Sequence, residues 1–116
     1  MHPAKGLKAW EAASDLADQI RAAAQAFPTR RKYRLPDQLC SAADSIGANL
    51  AEGTAKESSK EKARSFQIAL GSARETIHFL QRAKHSNLLD PHVYFPLLNR
   101  AKVTQSMIES LLRSLH

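Results

Sequence analysis

The chain has 116 residues, 43% of them hydrophobic, and a formal net charge of +6. That length suits one domain with one modest core, taken as residues 1–116, and the apolar content excludes a disordered chain. One cysteine, Cys40, excludes an internal disulfide, and no apolar run approaches the ~20 residues of a membrane span.

Alanine is abundant and aromatics are few, which favours closely packed helices over sheets. The first helix is predicted over 7–26. Trp10, Ala13, Ala17, Ile20, Ala24 and Phe27 recur at helical spacing and share a face. Pro28 stops this helix, because it lacks an N–H and restricts the residue before it. The second helix is predicted over 36–51, with Pro36 in its first turn and Leu39, Ala42 or Ala43, Ile46 and Leu50 as its stripe. Gly53 follows the last apolar residue and reads as a left-handed C-terminal cap.

The third helix is predicted over 58–86. Ser58 and Glu61 have the spacing of a capping box. Phe66, Leu70, Ala73, Ile77 and Leu80 make its seam. The fourth is predicted over 91–114, capped by Asp90 with Pro91 first, and carries Leu97, Ala101, Thr104, Ile108, Leu111 and Leu115. Three short connections make neighbours antiparallel, so the fold class is all-α, an up-down-up-down four-helix bundle. Ile68 and Phe79 fall off the main seam, and Leu98 and Val103 broaden the apolar arc of the last helix. These four residues are the candidate oligomer interface.

Two basic clusters stand out. Arg30, Arg31, Lys32 and Arg34 fill the first connection, and Lys60, Lys62 and Arg64 open the third helix. Such clusters are candidate phosphate contacts for RNA or DNA, or an ordinary solvated surface. In an antiparallel bundle they lie at opposite ends. Tyr33, beside the first cluster, could stack on a base or pack against the bundle end.

Catalytic chemistry has little to stand on. "GTAKESSKE" holds one glycine and lacks the run that wraps phosphates. His78 and His85 share a face but stand two turns apart, and Glu75 with His78 is a single Glu-x-x-His where di-iron bundles need two. Cys40 has no histidine near it in sequence, and Ser72 has no base or oxyanion donors in view. The chain is therefore expected to be no enzyme, with no catalytic residue, metal or cofactor. The N-terminal "MHPAKGLKAW" lacks a secretory apolar block, so a cytoplasmic location and no membrane partner are expected.

The order and spacing of Leu7 with Trp10, Phe27-Pro28, Leu35, Gln38, Ala42-Ala43, "SIGANLAEG" at 45–53, Ser59, Phe66, "IALGS" at 68–72 and Glu75 resemble a known family. It is the family of four-helix-bundle proteins named for reading frames in intervening sequences of bacterial 23S ribosomal RNA genes, also called the S23 ribosomal protein family. The resemblance implies a left-handed up-down-up-down bundle and a ring-like homopentamer. More distantly, the chain is similar to accessory proteins of diversity-generating retroelements, which are basic pentamers that bind nucleic acid and a reverse transcriptase. The family has no established catalytic residues to carry over. This chain has Cys40 and Ser41 where the family often has arginines, which weakens a nucleic-acid site on the second helix and leaves its basic link either to compensate or to bind something else. Two functions follow as expectations: a non-enzymatic oligomeric module that binds RNA or DNA through basic patches, or a protein–protein adaptor with no nucleic-acid ligand.

Overall fold

A computed structural model describes residues 7–27 and 34–115. Among them are four α-helices: α1 Lys8–Gln25, α2 Leu35–Thr54, α3 Ser59–His85 and α4 Pro91–Arg113. Each packs against two others in the cyclic order α1–α2–α3–α4, and the diagonal pairs do not approach. The result is a four-helix bundle, with principal extents of 45 × 22 × 21 Å. No helix among the described residues is long and apolar enough to cross a membrane.

The helix starts follow local chemistry. Ser58 accepts the Glu61 backbone N–H at 3.1 Å, and Asp90 accepts that of His92 at 2.8 Å. Each satisfies an amide that a helix start leaves unpaired. The end of α3 is a Schellman turn. Asn87 sits at φ 58, the N–H of Leu88 donates to the Ala83 carbonyl at 2.9 Å, and that of Asn87 donates to Lys84 at 3.1 Å. Asparagine tolerates this left-handed backbone better than alanine does. Asn87→Ala is therefore expected to cost about 1 kcal/mol, read as a lowered denaturation midpoint, while Asn87→Gly keeps the midpoint or raises it.

Gly53 is not a left-handed cap. It lies inside α2, which runs on to Thr54 and ends at Ala55 in right-handed conformation. Its lack of a side chain serves packing. A Cβ there would lie 2.4 Å from Phe66 Cε1 and 3.1 Å from Ser65 Cβ. A contact from the next helix replaces the expected local cap: Lys62 Nζ, on α3, donates to the carbonyls of Gly53 at 3.4 Å and Thr54 at 3.3 Å.

The core is one cluster drawn from all four helices. Leu16, Ile20, Leu39, Ile46, Leu50, Leu80 and Ile108 are its largest fully buried apolar side chains. On α1 the buried line is Ala9, Ala13, Leu16, Ile20 and Ala24, so Leu16 leads where Trp10 and Ala17 were expected. Trp10 and Ala17 are half-buried on its flank. On α3 the buried line is Phe66, Ala69, Ala73, Thr76, Leu80 and Ala83, with Leu70 and Ile77 on its margin. Two threonines are buried without penalty, because each hydroxyl donates to the carbonyl four residues back: Thr76 to Ser72 and Thr104 to Arg100, both at 2.8 Å.

Candidate nucleic-acid interface

Three arginines along the bundle are tied across helix–helix seams. Arg21 on α1 pairs with Asp44 on α2, Arg100 on α4 with Asp15 on α1 at 2.7 Å, and Arg74 on α3 with Glu109 on α4 at 3.8 Å. The hydrogen bond and charge of Asp44 hold the Arg21 guanidinium pKa above its usual value. These exposed pairs contribute little stability each, but they take up the charge of those arginines.

Among the described residues, Arg34, Lys60, Arg64, Arg82 and His85 near the bundle ends have no carboxylate partner in an ion pair, and neither does Lys102 midway along α4. The antiparallel order places the end of α1, the start of α2, the end of α3 and the start of α4 together. Arg34, Arg82, Lys84, His85 and His92 therefore share one end. Lys84 Nζ lies 5.9 Å from the centre of the Tyr94 ring, tying α3 to α4 there.

Of the sequence-derived phosphate contacts, Arg30, Arg31 and Lys32 lie outside the described residues, as does Tyr33. Phe27 and Arg34, which flank them, both belong to the end just described. Lys60 and Arg64 are exposed at the far end, four residues apart on one side of α3. Lys62 points differently: it is half-buried against the end of α2. Sequence reasoning passed over Arg82, Lys84, His85 and His92. Their nearness to Arg34 is set by the antiparallel return of the chain, and only charge counting on both sides of each predicted corner could have found it.

The candidate interface residues divide between two sides. Ser72 of α3 meets Ser45 of α2, hydroxyl to hydroxyl, at 2.8 Å. Ile68 and Phe79 fall on the same α2-facing side of α3 by helical spacing. Ile68 is 50% exposed, and Phe79 is partly buried beside Asp37 and Glu75. Val103, 44% exposed, is on the opposite flank, where α1 and α4 pack least closely. There it lines an open groove of about 750 Å³ with Leu7, Met107 and Leu111, between Lys8 and Lys102. Leu98 packs partly into the core.

Other chemistry finds little support. Ser72 is engaged with Ser45, whose hydroxyl also accepts from Asn49 at 3.0 Å. Cys40 is buried. Gly71, beside Ser72, has nothing within 4 Å of where its Cβ would stand. Among the described residues no group of three or more His, Cys, Asp or Glu side chains could hold a metal ion.

Comparison with known proteins agrees with this architecture. A crystal structure of a protein of unknown function from the S23 ribosomal protein family of Bacteroides thetaiotaomicron superposes with a TM-score of 0.83. The match covers 90% of this chain and 97% of that one at 20% identity, which speaks to the fold alone. No curated protein matches the sequence. The family model for the 23S rRNA-intervening sequence protein matches residues 5–110. With nearly the whole bundle inside that match, the chain belongs to the 23S rRNA-intervening sequence protein family.

Proposed function

We propose that this chain is a non-enzymatic, oligomeric helical module of the cytoplasm that contacts RNA or DNA through its basic end. One observation carries the reading: arginines along the bundle are consumed by carboxylates, whereas Arg34 and Arg82 gather without such partners at one end, beside Lys84, His85 and His92. Arg30, Arg31 and Lys32 belong to the same proposed surface by their place in the chain. Lys60 and Arg64 form a second, smaller contact at the other end, and Lys62 adds charge there while it caps α2.

Assembly supplies the rest of the affinity. Ile68 and Phe79 lie on one flank, Val103 on the opposite one, and a contact between unlike flanks closes into a ring when its rotation permits. A homopentamer is the ring this reading adopts, with Leu98 a lesser contributor to the contact. Repeating one modest basic end around a ring raises its effective concentration for a long polyanion.

The test is equilibrium binding to structured RNA, single-stranded DNA and duplex DNA across a salt series, at known oligomer mass. Binding is expected to persist near physiological salt and to weaken log-linearly as salt rises. Arg34→Ala, Arg82→Ala and Lys84→Ala together should lower the salt slope by about 3 and weaken all sequences alike. An unchanged slope in this folded triple variant would sink the assignment.

The groove between α1 and α4 favours a second reading, a protein–protein adaptor. Its apolar floor would give an association that survives high salt, and the same salt series separates the two.

A further inference from the structure

We infer that the α3–α4 side of the basic end is a site for single-stranded nucleic acid, in which the ring of Phe95 stacks on an unpaired base. The inference rests on the basic-end reading and adds to it the form of the ligand. Phe95 is 58% exposed, the most exposed large apolar side chain described, and it lies in the first two turns of α4.

Its direction follows from the ion pairs on α4. Glu109 reaches α3 through Arg74, and Arg100 reaches α1 through Asp15. At 3.6 residues per turn, Phe95 lies within about 40° of Glu109 and about 140° from Arg100. Phe95 therefore projects on the α3 side, where Lys84 of α3 reaches towards α4 and His85 follows it.

The ring also has an aromatic neighbour. It meets Tyr94 edge-on, with centroids 4.9 Å apart and planes at 66°. Tyr94 is buried and lies under Lys84 Nζ. Lys84 of α3 and the exposed Phe95 thus both lie against the buried Tyr94 ring. His92, exposed and three residues before Phe95, adds a further donor on α4. The nearby carboxylate of Asp90 is engaged at the helix start by the His92 N–H.

This pairing of features has a chemical meaning. Cations alone hold the phosphates of any nucleic acid, duplex or single strand. An exposed aromatic face adds energy only when a base is free to leave its own stack. Lys84, whose Nζ faces α4, supplies the first term and Phe95 the second, so the surface discriminates in favour of unpaired strands.

The experiment compares oligothymidine with an abasic oligonucleotide of equal length, which keeps the phosphates and lacks the bases. Oligouridine and a DNA duplex complete the set. The wild-type protein is expected to bind oligothymidine about tenfold or more tightly than the abasic strand. Phe95→Ala should erase that preference and leave the salt slope unchanged, because no phosphate contact is lost. Phe95→Leu, which keeps apolar bulk without a ring, should behave like Phe95→Ala, and Phe95→Trp should retain the preference. Oligouridine separates an RNA from a DNA preference within the same site. Equal binding of base-bearing and abasic strands by the wild type overturns the stacking site while leaving the basic end standing. A Phe95→Ala variant that loses oligomer mass in place of base preference makes Phe95 a subunit contact and equally overturns it. Absence of binding to every strand near physiological salt overturns both readings.

Discussion

Replacing Gly53 with valine is expected to destabilise the bundle by about 3 kcal/mol, the upper part of the range for overpacking a tight contact. For a domain near this size, that lowers the melting temperature by about 10 °C or more. The cause is local and severe. The first carbon of any side chain at position 53 would fall 2.4 Å and 2.7 Å from two atoms of the Phe66 ring, which is only 3% exposed. The ring cannot yield without disturbing the α2–α3 seam, the closest-packed pair in the bundle. Alanine brings the same collision with less bulk, partly offset by its better helix propensity, so about 1 kcal/mol is expected for Gly53→Ala. Gly71 provides the control. A Cβ there meets nothing within 4 Å, so Gly71→Ala should gain about 0.5–1 kcal/mol by propensity alone. Thermal melts of the three variants decide the matter, and equal melting of Gly53→Val and wild type would refute the packing argument.

Leu16→Ala is expected to cost about 2–5 kcal/mol, the range for emptying a fully buried leucine site. Leu16 is 0% exposed and sits among the largest side chains of the core. Leu98, partly buried on α4, should cost less when cut to alanine, because water already reaches part of it. Urea denaturation of both variants gives the comparison. A smaller loss at Leu16 than at Leu98 would show that α1 is rotated away from the orientation described here.

That rotation is where reading the chain as a pattern falls short. Trp10, Ala13, Ala17, Ile20 and Ala24 recur at helical spacing, and so do Ala9, Ala13, Leu16, Ile20 and Ala24. In an alanine-rich helix the two stripes overlap, and periodicity cannot rank them. The choice depends on what the neighbouring helices present. Gly47 of α2, for instance, leaves its Cβ position 3.7 Å from Trp10 Nε1, in ordinary contact on the flank. On α3 the same ambiguity moves Leu70 and Ile77 to the margin and brings Thr76 fully inside. A threonine is admitted to the core because its hydroxyl finds the Ser72 carbonyl within its own helix.

The charged surface divides in the same way. Clusters contiguous in the chain, such as Lys60, Lys62 and Arg64, are visible as strings of letters, yet their members do different things. Lys62 turns inward to the end of α2, while Lys60 and Arg64 face water. The group at the other end is assembled from α2, α3 and α4. Arg34 and Arg82 are neighbours in no local window, so their shared end is a property of the antiparallel path.

Helix number, order and most limits are encoded locally, the end of α2 under Lys62 being the exception. Proline at a first turn, Ser58 and Asp90 at their caps, and apolar recurrence at three and four act over a few residues. Their energies do not wait for the rest of the chain. The roles of Gly53, Leu16 and Lys62 depend on atoms far away in sequence. Gly53 is required to be small by a ring thirteen positions on, and Lys62 of α3 donates to carbonyls at the end of α2. Packing and electrostatics act through space, so those roles were decided only when four helices had closed around one core.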